Sequence, residues 1–167
     1  MELYILRHGL AGEPGDPAYK SDSERPLTPK GRRKLRDVAE AMKALEISFD
    51  LILSSPYARA KQTAEVVAEA FDADKKLELS ETLMPGGTTR ALIELLKGRA
   101  PGLGSVLLVG HEPYLSGLIS LLVSGDAGFR VALKKGGLCR LEVESLRHGR
   151  CAELAWLLTP KQMALMA

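Results

Sequence analysis

Long apolar runs are missing from this chain, and with them the case for a membrane protein. The longest such stretches, Leu118 to Val123 among them, fall far short of the roughly 20 residues that span a bilayer, and no basic start leads into a long apolar region. A cytoplasmic location is the expectation. Charge of one sign is also missing: 23 basic residues stand against 21 acidic ones, a net charge of +2. That balance gives no long-range pull toward nucleic acid or membrane, so any preference for anions must be local. Cysteine is scarce. Cys139 and Cys151 lie in different apolar segments, 12 residues apart, and the one histidine nearby is His148, before Cys151. Such spacing argues against a zinc site and predicts two reduced, packed thiols. Repeats, linkers and low-complexity tracts are absent as well.

What is present is ordinary: 167 residues, 46% hydrophobic and 26% charged, enough for one domain over residues 1–167 with a sizeable core. Four segments read as strands leading into helices. A strand over Glu2–Leu6 ends in Arg7-His8-Gly9 and is followed by a polar loop, Gly12 to Pro26, expected to be mobile. Thr28 and Pro29 make a cap-plus-proline start for a helix to about Leu45, with Leu35, Val38, Ala39 and Met42 on one stripe. Asp50–Ser54 reads as a strand, and Ser55-Pro56 repeats the start signal before a helix through about Phe71. A short strand over Lys76–Leu79 comes next, then a helix capped by Thr88 or Thr89 to about Lys97, a buried strand over Ser105–Val109, and a helix from Glu112-Pro113 through about Val123. The tail differs, with Leu138–Val143 and Cys151–Leu157 flanking Leu146 to Arg150 as a hairpin. Alternating strands and helices imply a three-layer α/β/α sandwich with a mostly parallel sheet and an antiparallel hairpin at the C-terminus.

In such sheets ligands bind beyond the carboxyl ends of the strands. His8 follows the first strand, Arg59 lies in the first turn after the second, and His111 follows Val109-Gly110. Two guanidiniums, two imidazoles and a helix N-terminus suit a compact phosphoryl anion. Arg7 and Arg59 would grip the oxygens with planar forks. His8 is the better nucleophile, because Gly9 lets the backbone approach and a carbonyl can fix the tautomer that frees one ring nitrogen. His111 would donate to the oxygens as their charge shifts. Ser54 and Ser55 have two uses open to them, capping the second helix or donating to the phosphate, and capping is the commoner. A divalent metal held by His8, His111 and Glu112 is the rival arrangement. Arg7 and Arg59 oppose it, since two fixed cations repel a metal and attract an anion. No metal or cofactor is therefore expected.

Leu6-Arg7-His8-Gly9, Leu27-Thr28 with Gly31, Ser54-Ser55-Pro56 with Arg59, Gln62 and Thr63, and Val109-Gly110-His111 closely resemble the histidine phosphatase superfamily. Arg25-Pro26-Leu27-Thr28, Gly110-His111-Glu112-Pro113 and the chain length are similar to the short SixA-like phosphohistidine phosphatases. The resemblance implies a phosphoglycerate mutase-like fold and a two-step reaction in which His8 is phosphorylated and water then releases phosphate. Arg7, Arg59 and His111 would complete the pocket. The family's proton donor maps by spacing onto Glu81, after Leu79-Ser80; the other reading of Glu81 is a solvated or capping carboxylate.

Larger members carry long insertions over the site, whereas only Met84-Pro85-Gly86-Gly87 separates Glu81 from the next helix here. An open site suits a phosphorylated side chain on another protein, such as a histidine-containing phosphotransfer domain, better than a small sugar phosphate. Arg25, Lys134 and Lys135 are placed to form a rim for such a partner, or else are simply solvated. A phosphatase of small phosphomonoesters and a binding module without catalysis are the two alternatives. Arg147-His148-Gly149 repeats the first tripeptide, but it falls in a polar turn and is read as a decoy.

Overall fold

The computed structural model describes residues 1–167. Its sheet has six strands: β1 (Glu2–Arg7), β2 (Leu51–Ser54), β3 (Leu77–Leu79), β4 (Ser105–Gly110), β5 (Leu138–Val143) and β6 (Ala152–Leu158). The strand order is β3-β2-β4-β1-β5-β6. The first four run parallel, and β5 and β6 are antiparallel, β5 pairing with β1. β4 thus lies between β1 and β2, so three parallel strands from distant parts of the chain end side by side.

Strand alternation sorts the core into two layers. Leu3 and Ile5 of β1 with Val106 and Leu108 of β4 meet α3 (Thr89–Arg99) and α4 (Tyr114–Ser124) on one face. Tyr4, Leu6, Leu107 and Val109 meet α1 (Pro29–Ala44), α2 (Ala58–Ala70) and the short α5 (Pro160–Ala164) on the other. This is the expected three-layer α/β/α sandwich with its antiparallel C-terminal pair. α1 starts as the sequence indicates, with Thr28 Oγ1 accepting from the Gly31 amide and Pro29 in the first turn. Leu35, Val38, Ala39 and Met42 are all buried.

Three departures have physical causes. Ser55-Pro56 does not open α2; the chain bends at Pro56 and Tyr57, and the helix begins at Ala58 without a side-chain cap. α5 has no counterpart among the expected helices, although Thr159 and Gln162 form a capping box around its first turn. The polar loop from Gly12 to Pro26, expected to be mobile, is tied down. The Gly12 amide donates to Pro26 O at 2.9 Å, Ala11 bridges to Leu27, and Asp22 to Glu24 form a 3-10 turn held by the arginines described below. Cys139 is fully buried, its thiol pushed up to about 12 by burial, and Cys151 is half-buried; both are free. No helix is long and apolar enough to cross a membrane.

Candidate active site

The carboxyl ends of β1, β4 and β2 are stitched together just where the marked residues fall in the chain. The His8 amide donates to Gly110 O at 3.0 Å, and the Ser55 amide donates to Val109 O at 3.0 Å. His8 therefore sits beside Gly110-His111, with Ser55 on the far side of β4. The imidazoles of His8 and His111 lie 5.3 Å apart between ring centres.

Gly9 serves close packing. A Cβ there would lie 2.7 Å from Leu35 Cδ1, so the turn after β1 presses against α1 closely enough that a side chain would displace Leu35. The Gly9 amide donates to Thr63 Oγ1 at 3.1 Å, and that hydroxyl donates to Arg59 O at 2.7 Å. One α2 threonine thus fixes the His8 turn to the helix that carries Arg59.

His8 is 6% exposed, and its Nδ1 lies 2.7 Å from Gly9 O. A carbonyl oxygen can only accept, so Nδ1 carries the proton and Nε2 keeps a free lone pair. Burial pushes the His8 pKa down from 6.5 to about 3; the bond to Gly9 opposes the shift, while His111, Arg59 and Arg7 add to it. His111, 2% exposed, is pushed down to about 4 by burial first and then by Arg59. Its Nε2 is 2.8 Å from Ser55 Oγ, and that oxygen accepts from the Tyr57 amide at 3.2 Å. Both imidazoles are neutral near pH 7.

Arg7 donates from Nη1 to Leu133 O at 3.0 Å. Burial lowers its pKa, with the Glu112 carboxylate acting in the opposite sense. Arg59, 5% exposed, donates to Asp22 O at 2.8 Å and to Asp22 Oδ2 at 3.0 Å, and its guanidinium carbon lies 5.2 Å from the Tyr57 ring centre. The same ring stands 5.2 Å from that of His111. Arg7 Nε, Arg59 Nε and His111 Nδ1 are buried with no hydrogen-bond partner. Orphaned buried polar atoms are costly and rare, and three of them fall on residues that the sequence marks.

The other residues that the sequence marks divide from these four. Ser54 is fully buried and donates to the Ser55 carbonyl, so its hydroxyl is already engaged. Arg25 is a clamp within the loop: Nη1 donates to Gly12 O at 2.7 Å, and Nε and Nη2 donate to Asp22 Oδ1. Lys134 and Lys135 are exposed. Glu81 is exposed at the start of a 3-10 turn after β3 and forms no hydrogen bond or ion pair with Arg7, His8, Arg59 or His111. Glu112 accepts from the Ser116 amide at 2.7 Å, and no group of three or more His, Cys, Asp or Glu side chains converges that could hold a metal ion. The second Arg-His-Gly lies elsewhere, its exposed His148 meeting Thr89 and Arg90 at the start of α3.

Two contributors carry no clear mark in the sequence. Asp22 is one carboxylate in a polar loop, and nothing local identifies it as the partner of Arg59. Burial acts to raise its pKa, yet hydrogen bonds from Arg25 and Arg59 hold it below the ordinary carboxylate value. Tyr57 wedges between Arg59 and His111; its position directly after Ser55-Pro56 is the one available signal.

Known proteins resemble this chain in sequence and in fold. A family model described as histidine phosphatase superfamily (branch 1) matches residues 3–84. The chain is 33% identical over 127 residues to the phosphohistidine phosphatase SixA of Escherichia coli K12, covering 75% of this chain and 76% of that one. It is 36% identical over 148 residues to an uncharacterized protein of Picosynechococcus, 88% of each chain being covered. The solved structure of the protein histidine phosphatase SixA complexed with tungstate superposes with a TM-score of 0.84 at 26% identity, covering 96% of this chain and 98% of that one.

Proposed function

The chain belongs to the histidine phosphatase superfamily, and from that premise we propose that it removes phosphate, without a metal, from phosphohistidine on a partner protein. The observation that carries this reading is the His8 Nδ1–Gly9 O bond at 2.7 Å, which leaves Nε2 unprotonated beside two guanidiniums.

In the first step the Nε2 lone pair forms a bond to phosphorus, and the bond from phosphorus to the substrate imidazole nitrogen breaks. The electron pair leaves with that imidazole, which departs already protonated. In the second step water attacks phosphorus, the bond to Nε2 breaks, and the electron pair returns to His8. The surplus water proton goes to phosphate or solvent. Arg7 and Arg59 hold the oxygens throughout, their charge matched to a loose, anionic transition state. With the Ser55 hydroxyl donating to His111 Nε2, Nδ1 carries a proton for a phosphoryl oxygen. A leaving group of this kind needs no strong general acid, which fits an exposed Glu81 outside the cradle.

Support for a protein substrate comes from the short connection over the site, since only Met84 to Gly87 lie between the 3-10 turn at Glu81–Leu83 and the cap of α3. The test is turnover, with a chelator present throughout, of a phosphohistidine peptide against sugar phosphates. Faster phosphate release from the peptide, undiminished by chelator, is expected. Faster release from sugar phosphates would favour a small-phosphomonoester enzyme, and release from neither would favour a binding module.

A further inference from the structure

The first half of α1 is a concentrated cationic face. From Lys30 to Arg36, five of seven residues are basic: Lys30, Arg32, Arg33, Lys34 and Arg36. None forms an ion pair, whereas Lys43 in the second half of the same helix pairs with Glu40 at 3.1 Å. Helix physics opposes the arrangement. Cations near a helix N-terminus face the positive end of the dipole, the first turn holds no acid, and Lys30 and Lys34, like Arg32 and Arg36, repel at four-residue spacing. In a chain of net charge +2, such a cluster is a local device and not a by-product of composition.

The face also abuts the turn that follows His8. Lys30, Arg33, Lys34 and Arg36 line an open groove of about 580 Å³ with Asp37. Lys34 also borders a second depression of about 70 Å³, shared with Lys135 of the segment before β5 and with Gly9, the residue after His8. At Gly31 a Cβ would lie within 2.3 Å of Leu10 O, so the start of α1 is seated directly on the His8 turn.

We propose that this α1 face, continued by Lys135, docks an acidic surface flanking the phosphorylated residue of a protein substrate. It rests on the phosphatase reading of the site and assigns a recognition surface to it. Protein is favoured over nucleic acid because the face spans only about 9 Å of helix axis, is interrupted by Asp37 and offers no aromatic ring for base stacking.

The test uses a synthetic phosphohistidine peptide flanked by glutamates and the same peptide flanked by glutamines, with the wild type and with the double variant Arg33→Glu/Arg36→Glu. The wild type is expected to favour the glutamate peptide on the order of 10-fold in kcat/KM, through KM, and to lose that preference as salt rises. The variant loses the preference while hydrolysing the glutamine peptide and phosphoimidazole at the wild-type rate. Equal use of the two peptides by the wild type, or a preference retained by the variant, overturns the proposal. Amide NMR shifts at residues 30–36 on adding the unphosphorylated glutamate peptide give a readout independent of turnover. Shifts there without any phosphate release keep the surface and sink the phosphatase reading; no shifts sink the surface. A duplex oligonucleotide that binds this face more tightly than the glutamate peptide overturns the choice of partner.

Discussion

Among single residues, the two buried imidazoles carry the proposed chemistry and its cost. Each is held neutral by burial among cations, His8 down to about 3 and His111 down to about 4. An unfolded histidine takes up a proton near pH 6.5. Between that pH and the folded values, the unfolded chain binds more protons than the native one, so acidification favours unfolding. The stability these histidines contribute is fully present above about pH 6.5 and declines below it, by ~1.4 kcal/mol per pH unit for each histidine across its window. Urea unfolding at a series of pH values should therefore show loss beginning near pH 6.5, above the range in which Asp22 titrates. NMR should find neither ring protonated at pH 5. An imidazole at position 8 or 111 that titrates near 6.5 would contradict the geometry.

The element that most changes the picture is the segment between β1 and α1. Asp22 accepts from Arg59 with both its carboxylate and its carbonyl, and from Arg25, so one loop residue ties the segment to α2. Replacing Asp22 by Ala should leave the fold intact and release the segment. Hydrogen exchange at the Gly12 and Arg25 amides is expected to quicken several-fold while the β1 and β4 amides keep their protection; unchanged exchange at Gly12 would mean that the loop is held by other contacts. The sequence could not disclose this tie, because a carboxylate paired 37 residues away has no local pattern. Local chemistry was legible instead. Thr28-Pro29 signals the start of α1 truly, since its cap bond lies three residues away. Ser55-Pro56 looks the same and misleads, because its serine hydroxyl is engaged by His111 from another strand and the helix starts later. At α5 the Thr159 and Gln162 pair was readable, but five residues give too little periodicity to mark a helix.

Over the whole molecule, the proposed site comes from strand order. Placing β4 between β1 and β2 brings residues 8, 55 and 111 to one edge, and α2 adds Arg59. The same tripeptide at Arg147 has no such setting; its histidine meets the start of α3. Alternation of apolar strands with helices made this convergence readable, whereas the aim of each side chain depended on contacts such as Thr63 between Gly9 and Arg59. The central claim is that His8 Nε2 takes the phosphoryl group. Brief exposure to a phosphohistidine substrate, followed by rapid quenching, tests it most directly. Phosphate that is labile to acid and stable to base, mapped to His8 and absent from His8→Ala, is the predicted result. Phosphate on any other residue, or native turnover by His8→Ala, would contradict it.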